Sequence, residues 1–303
     1  MGEFFCDVGE GITLCYERFG SESDPPLLLI MGLGTQMIGW PDEFCAQLAE
    51  RGLHIVRFDN RDIGRSTRVK GAPPTPRQLV TRKIDPVLYD LGDMANDAAS
   101  LLRELQLAPA HVVGASMGGM IAQTLAARHP EHVRSLVSIM SNTGNRWTGQ
   151  PAFGIYRYLL RRAPEDRVGY IEHTTRVFEA IGSRGLPFDT ERVRDMVARS
   201  YDRGHDPAGP GRQLGAIISS GDRTAELLRI RAPTLVIHGS KDRMVARSGG
   251  VATAKAIPGA RLMIVDGMGH DLPEAAWPRL VEAIAGHAHA ADEAAARAPL
   301  NAS

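Results

Sequence analysis

The sequence predicts an α/β fold, a mostly parallel sheet flanked by helices and interrupted by a helical insertion. Short β-branched or leucine-rich runs alternate with longer helical patterns, the mark of strands joined by crossover helices. That alternation stops between Ser141 and Ser219, where the residues become helical, arginine-rich and aromatic. A Gly-Ala-Ser-Met-Gly turn at Gly114–Gly118 stands between an apolar strand-like run and a helical one, a strand-turn-helix setting that a parallel sheet supplies.

The elements follow in order. Ile12 to Phe19 reads as an opening strand, Leu27 to Met31 as a buried one, and His54 to Phe58 and His111 to Val113 as two more, each bounded by Gly, Pro or Asp. Between them Phe44 to Glu50 and Asp93 to Leu105 carry apolar residues at helical spacing. Leu136 to Met140, Thr234 to His238 and Arg261 to Val265 complete the strand set, and there is no internal repeat. The insertion holds 8 of the chain's 17 aromatics, so it buries a face of its own, lines a pocket, or does both. Residues 1–140 and 220–286 are therefore expected to form the core and 141–219 a helical cap. The low-complexity run after Gly286 reads as a flexible tail over 287–303, which makes His287 and His289 poor catalytic candidates.

Composition removes several function classes. The 35 basic and 35 acidic side chains cancel, giving no reason to expect a nucleic-acid or anionic-membrane partner. Hydrophobic residues at 43% and charged residues at 23% are those of an ordinary globular chain, which disfavours disorder and fibrous classes; 303 residues can bury a large core. The first ten residues are acidic, with no base and no long apolar run, and apolar runs such as Leu27 to Met31 are far shorter than the roughly 20 residues that cross a bilayer. Cys6, Cys15 and Cys45, odd in number and without C-x-x-C spacing, argue against a disulfide framework or a structural zinc site. A cytoplasmic location is expected.

Chemistry concentrates at the turn. Ser116 lies at the centre of G-x-S-x-G, on a tight bend that leaves no room for side chains at Gly114 and Gly118. A serine hydroxyl is a poor nucleophile at neutral pH; it needs a base, itself oriented by a third group. The strand Thr234 to His238 runs into Gly239-Ser240-Lys241-Asp242, and the strand Arg261 to Val265 into Asp266-Gly267-Met268-Gly269-His270, so Asp242 and His270 fall in loops after later strands, in the order Ser, acid, His. The rival histidines read otherwise: His54, His111 and His238 belong to strands, while His129 and His132 flank Pro130 at a helix end. Asp266, the rival acid, suits a turn-capping role, and the loop after Leu136 to Met140 offers only Ser141 and Asn142, which favours Asp242. Acyl transfer also requires donors for the developing oxyanion; the backbone N–H groups of Met117 and of Leu33, in Met31-Gly32-Leu33-Gly34, are the candidates.

These segments, with Asp59-Asn60-Arg61-Asp62-Ile63-Gly64-Arg65-Ser66 and Pro233 to Gly239, resemble the α/β-hydrolase superfamily over roughly Gly11 to Glu282. Within it the chain is similar to aclacinomycin methylesterase-type serine esterases of actinobacteria, notably in Gly39-Trp40-Pro41-Asp42-Glu43-Phe44 and in Arg61 to Thr67. The resemblance implies hydrolysis of a carboxylic ester of a small, apolar or polycyclic molecule. Lactonase, thioesterase, perhydrolase and carbon–carbon bond hydrolase chemistry would share the site. An aspartate-nucleophile reaction such as epoxide hydrolysis is excluded by Ser116. A ligand-binding receptor or inactive scaffold with a retained triad is the reading of another class.

Two departures stand out. Met31-Gly32 replaces the His-Gly of many relatives, which keeps the backbone donor, and Asp62 takes a position that relatives fill with glycine. The charges of Arg61 and Asp62 are expected to hold loops together rather than act in the reaction. Gly32, Trp147, Phe153 and Tyr156 are candidate pocket residues. No metal or organic cofactor is called for, and the expected partner is the small-molecule ester, with a homodimer left open.

Overall fold

Leucines along one buried strand show how the sheet is held. In the computed structural model, which describes residues 2–159 and 163–297, β3 is Pro26–Ile30. Its Leu28 and Ile30 join one apolar cluster and its Leu27 and Leu29 another. Successive strand side chains point to opposite faces, so a run without polar alternation is what a strand covered on both faces requires. Each such leucine contributes about 1.5–3 kcal/mol relative to exposure.

The strands in chain order are β1 (Phe4–Gly9), β2 (Ile12–Phe19), β3, β4 (His54–Phe58), β5 (Ala110–Ala115), β6 (Val133–Ile139), β7 (Thr234–Gly239) and β8 (Arg261–Val265). They lie in the order β1-β2-β4-β3-β5-β6-β7-β8. β2 pairs antiparallel with β1 and β4, and the pairs from β4–β3 to β7–β8 are parallel. The helices are α1 (Asp42–Ala49), α2 (Pro76–Thr81), α3 (Leu91–Glu104), α4 (Met117–Arg128), α5 (Tyr156–Leu159), α6 (Arg167–Ile181), α7 (Thr190–Gly204), α8 (Gly209–Ser220), α9 (Thr224–Leu227), α10 (Arg247–Ala256) and α11 (Trp277–Arg297). Met94, Leu101, Ile121 and Leu125 of α3 and α4 cover one face of the sheet; Phe44 and Leu48 of α1 and Leu280 and Ile284 of α11 cover the other. α3 starts cleanly because Asp90 accepts the N–H groups of Gly92 and Asp93 while Asp93 reaches back to the Asp90 N–H.

Two expectations are corrected. The segment before Ile12 is an edge strand, β1, hidden in the sequence because only Cys6 and Val8 face inward and Phe4 and Phe5 stay exposed. The expected tail is helical as far as Arg297, and residues 298–303 lie outside the described residues. Alanine is the strongest helix former, so a run that looks simple makes a helix once one face finds a surface. Here Ala288 and Ala291 are buried, His287 Nε2 bonds the Pro233 carbonyl at 3.0 Å, and Asp292 meets His111 Nε2 at 3.3 Å.

Between β6 and β7 the described chain contains helices and no strand. Buried ion pairs bind it to the loop after β4: Arg203 Nη1 lies 2.7 Å from Asp59 Oδ2 and Arg212 Nη2 2.7 Å from Asp62 Oδ1, Arg212 also pairing within the insertion with Asp206 Oδ2 at 2.6 Å. No helix among the described residues is long and apolar enough to cross a membrane.

Candidate active site

Ser116 follows β5 and precedes α4, with φ 56° and ψ −119°. A non-glycine residue pays for a positive φ, and the surroundings enforce it. The Ser116 N–H donates to the Ile139 carbonyl at 2.9 Å. A Cβ at Gly114 would stand 2.1 Å from the Gly118 carbonyl oxygen, and one at Gly118 would stand 2.0 Å from that of Ile30. Only glycine lets helix, turn and neighbouring strand approach this closely, which is the physical content of the G-x-S-x-G spacing.

Loops after the last two strands bring in the partners. His270 Nε2 lies 2.9 Å from Ser116 Oγ, and His270 Nδ1 lies 2.8 Å from Asp242 Oδ2. An ionised carboxylate only accepts, so Nδ1 carries the imidazole proton and Nε2 is left to accept from the serine hydroxyl. The other oxygen of Asp242 accepts the N–H groups of Met244 at 2.9 Å and Val245 at 2.8 Å, which fixes the carboxylate plane. The structure therefore brings all three expected residues into one hydrogen-bonded chain. Leu33 and Met117 border the same cavity as Ser116 and His270. Met117 is the first residue of α4, where N–H groups have no intrahelical acceptor. A Cβ at Gly32 would come within 3.0 Å of the Ser116 Cβ, so the two loops nearly touch.

The rival residues are occupied elsewhere. Asp266 is exposed and accepts from Ser240 Oγ at 2.7 Å; that bond holds its carboxyl below the usual carboxylate range. His111 bonds Ser135, and His129, Glu131 and His132 form a cluster with ligand-type atoms within 4.8 Å of one another. That cluster could hold a metal ion, but it lies beyond the far end of α4, which its 12 residues place about 18 Å from Ser116. Arg61 makes two 2.6 Å contacts to Asp97. Asp62, at φ 72°, accepts from Val69 N–H, Tyr89 Oη and Arg212. Both serve loop structure, as their charges suggested.

The cavity over Ser116 measures about 1430 Å³. Met31, Leu33, Met117 and Met140 border it from the sheet side, and Val177, Phe178, Val193, Met196, Leu214 and Ile217 from the insertion. Of the expected pocket residues, Gly32 and Tyr156 border it. Trp147 and Phe153 do not: they are 78% and 94% exposed, Trp147 lying beneath the Arg146 guanidinium. Aromatic content located the region but could not tell which of its side chains face inward.

Three supporting residues escaped the sequence reading. Ser183, just past α6, accepts the Gly269 N–H at 2.9 Å and donates to Asp271 at 2.6 Å, while the His270 N–H bonds the Ile181 carbonyl at 2.9 Å. Burial pushes the Asp271 carboxyl up from its usual range. His238 Nε2 donates to the Val245 carbonyl at 2.8 Å, 3.5 Å from Asp242 Oδ2, and burial holds its imidazole below the usual value and so neutral. Gln213, on α8, bonds the loop that contains Leu33. Ser183 and Gln213 act across long sequence separations, and nothing local marks them; His238 acts within its own strand and loop, where a strand histidine reads as packing.

A parallel sheet, a serine on a strained turn, and a histidine and an aspartate in the loops after the last strands place the chain in the class of hydrolases that the sequence resembled. The chain belongs to the alpha/beta hydrolase fold family, whose model matches residues 25–274. It is similar to rhodomycin D methylesterase DauP of Streptomyces sp. strain C5, with 31% identity over 301 residues, covering 92% of this chain and 96% of that one. Rhodomycin D methylesterase DnrP of Streptomyces peucetius is 30% identical over 305 residues, covering 94% of this chain and 97% of its own. The crystal structure of the enol-lactonase from Burkholderia xenovorans LB400 shares the fold, with a TM-score of 0.72 and 21% identity over 93% of this chain and 98% of that one. The resemblance to methylesterases read from the motifs is thus matched along nearly the whole chain.

Proposed function

We propose that this protein is a serine esterase that cleaves a carboxylic ester, a methyl ester foremost, through an acyl-enzyme. The observation that carries the reading is the unbroken Ser116–His270–Asp242 hydrogen-bond chain opening into a mainly apolar cavity. Ser116 Oγ attacks the ester carbonyl as its proton passes to His270 Nε2, and the tetrahedral oxyanion is held by the N–H groups of Leu33 and Met117. The carbon–alkoxide bond then breaks, the Nε2 proton goes to the departing alcohol, and water repeats the sequence to release the acid and free Ser116. Asp242 fixes the tautomer of His270 and stabilises the imidazolium. The helices of 141–219 act as a cap over the acyl group.

The methyl ester is suggested by the names of the two methylesterase relatives, and the cavity, about 1430 Å³, is large enough for a polycyclic acid. Steady-state hydrolysis of p-nitrophenyl and aryl methyl esters tests the reading. Sustained turnover is expected. One turnover followed by silence would make the protein a receptor that retains the three residues.

A further inference from the structure

The loop expected to supply an oxyanion donor is held by a helix of the insertion. Gly34, at φ +68°, donates its N–H to Gln213 Oε1 at 2.9 Å, and Gln213 Nε2 donates to the Arg61 carbonyl at 2.9 Å. Gln213 is 0% exposed and is not part of the cavity wall, so it does not reach substrate. Its neighbours on α8 press on the same two loops. A Cβ at Gly209 would stand 2.2 Å from the Asp62 carbonyl oxygen, and one at Gly34 would stand 3.3 Å from the Pro210 side chain. At its two ends the loop is tied to the segment after β4, where Asn60 Nδ2 donates to the Met31 carbonyl at 2.9 Å and Asp59 Oδ1 accepts the Met37 N–H at 2.8 Å.

Leu33 thus stands between two glycines, which have little conformational preference of their own, and its peptide orientation depends on what ties the loop. Within the loop the Thr35 N–H donates to the Gly32 carbonyl at 3.3 Å, while the tie on Gly34, on the other side of Leu33, comes from the insertion. The chemistry suits an uncharged amide: one fully buried side chain must accept from one backbone N–H and donate to one backbone carbonyl, and glutamine does both without burying a charge.

We propose that Gln213 is a positioning residue for ester cleavage, acting from α8 through Gly34 to aim the Leu33 N–H at the oxyanion. The inference rests on the serine-esterase reading. Its consequence is that docking of α8 and completion of the oxyanion hole are one event, so a protein whose α8 is displaced keeps its Ser116–His270–Asp242 chain and loses a donor.

The test compares Gln213→Met, which removes both bonds at similar volume, with Gln213→Asn, which keeps the amide but is one methylene too short to bridge both partners. Both are assayed per titrated active site for kcat, KM, the pH profile and inhibition by an aryl trifluoromethyl ketone, whose hemiketal oxyanion occupies the hole. The expected result for Gln213→Met is a fall in kcat of about 10²-fold with KM within about threefold. Ketone affinity should weaken by the same factor as kcat/KM, and the acid limb of the profile should not move, because His270 and Asp242 are untouched. Gln213→Asn should show the same pattern at smaller amplitude, and it carries the test alone if Gln213→Met does not fold. Unchanged kcat and unchanged ketone affinity overturn the proposal; so does a loss confined to KM, or a loss of kcat without a loss of ketone affinity. Failure of the underlying reading would appear separately, as activity surviving in Ser116→Ala.

Discussion

The two sides of the cavity are built on different physics. On the sheet side, Ser116, Asp242 and His270 stand in short loops directly after β5, β7 and β8, and steric exclusion of a Cβ at Gly114 and Gly118 fixes the serine's backbone. On the other side, the helices of the insertion are tied down by single polar side chains reaching across the molecule: Arg203 to Asp59, Arg212 to Asp62, Gln213 to Gly34, Gly269 to Ser183. The contrast teaches that reactive geometry can be set locally by backbone sterics, whereas the fit of a cover depends on long-range polar pairs that can be exchanged one by one. Chemistry should therefore be lost all at once by changes on the first side, and stability or alignment in graded steps by changes on the second.

The largest effect should come from Ser116→Ala, which removes the proposed nucleophile and leaves the rest of the cavity unchanged: kcat should fall about 10⁵–10⁶-fold in a folded protein. Ester assays against circular dichroism check it, and near wild-type turnover would end the account of the sheet side. Asp242→Asn should lower kcat by about 10⁴-fold, because the amide permits the wrong imidazole tautomer. Asp266→Asn, in an exposed turn, should stay within about threefold of wild type. The reverse order of these two variants would move the acid role to Asp266.

Across the cavity, Arg212→Met leaves the carboxylates of Asp62 and Asp206 without their guanidinium, and a broken buried pair costs about 3–5 kcal/mol. Urea unfolding should show that loss. A difference below about 0.5 kcal/mol would mean that the Arg212 ion pairs do not hold α8 in place. The smallest effect concerns pH. Burial pushes the imidazoles of His54, His111 and His238 below their usual value of about 6.5, so the unfolded chain binds these protons more readily. Their contribution to stability is present above about pH 6.5 and is lost as pH falls through the lowered folded values. Scanning calorimetry should give a lower Tm at pH 5.5 than at pH 7.5, by about 2–4 °C for each kcal/mol lost. Equal values would show that these rings take up protons in the folded state as easily as in the unfolded one.

What the sequence disclosed follows the same division. Ser116, Asp242 and His270 were legible because each lies a few residues after an apolar strand in a glycine-containing turn, and strand, turn and helix are short-range patterns. β2, β4 and β8 were legible to the residue for the same reason. Gln213 was not, since its partner Gly34 is 179 residues away and a glutamine in a helix looks like a solvated residue. Trp147 and Phe153 misled because aromatic character says nothing of the side on which a side chain emerges. The run after Gly286 misled because low complexity masks alanine's helix propensity, and the apolar cluster that Ala288 joins is built from distant elements.

The central claim is that Ser116 becomes covalently acylated. Incubation with an aryl phosphonate ester followed by intact-protein and peptide mass spectrometry tests it most directly. One adduct per chain, on the peptide containing Ser116, absent in Ser116→Ala and formed in step with loss of esterase activity, is expected. An adduct on another residue, or full loss of activity with Ser116 unmodified, would contradict it.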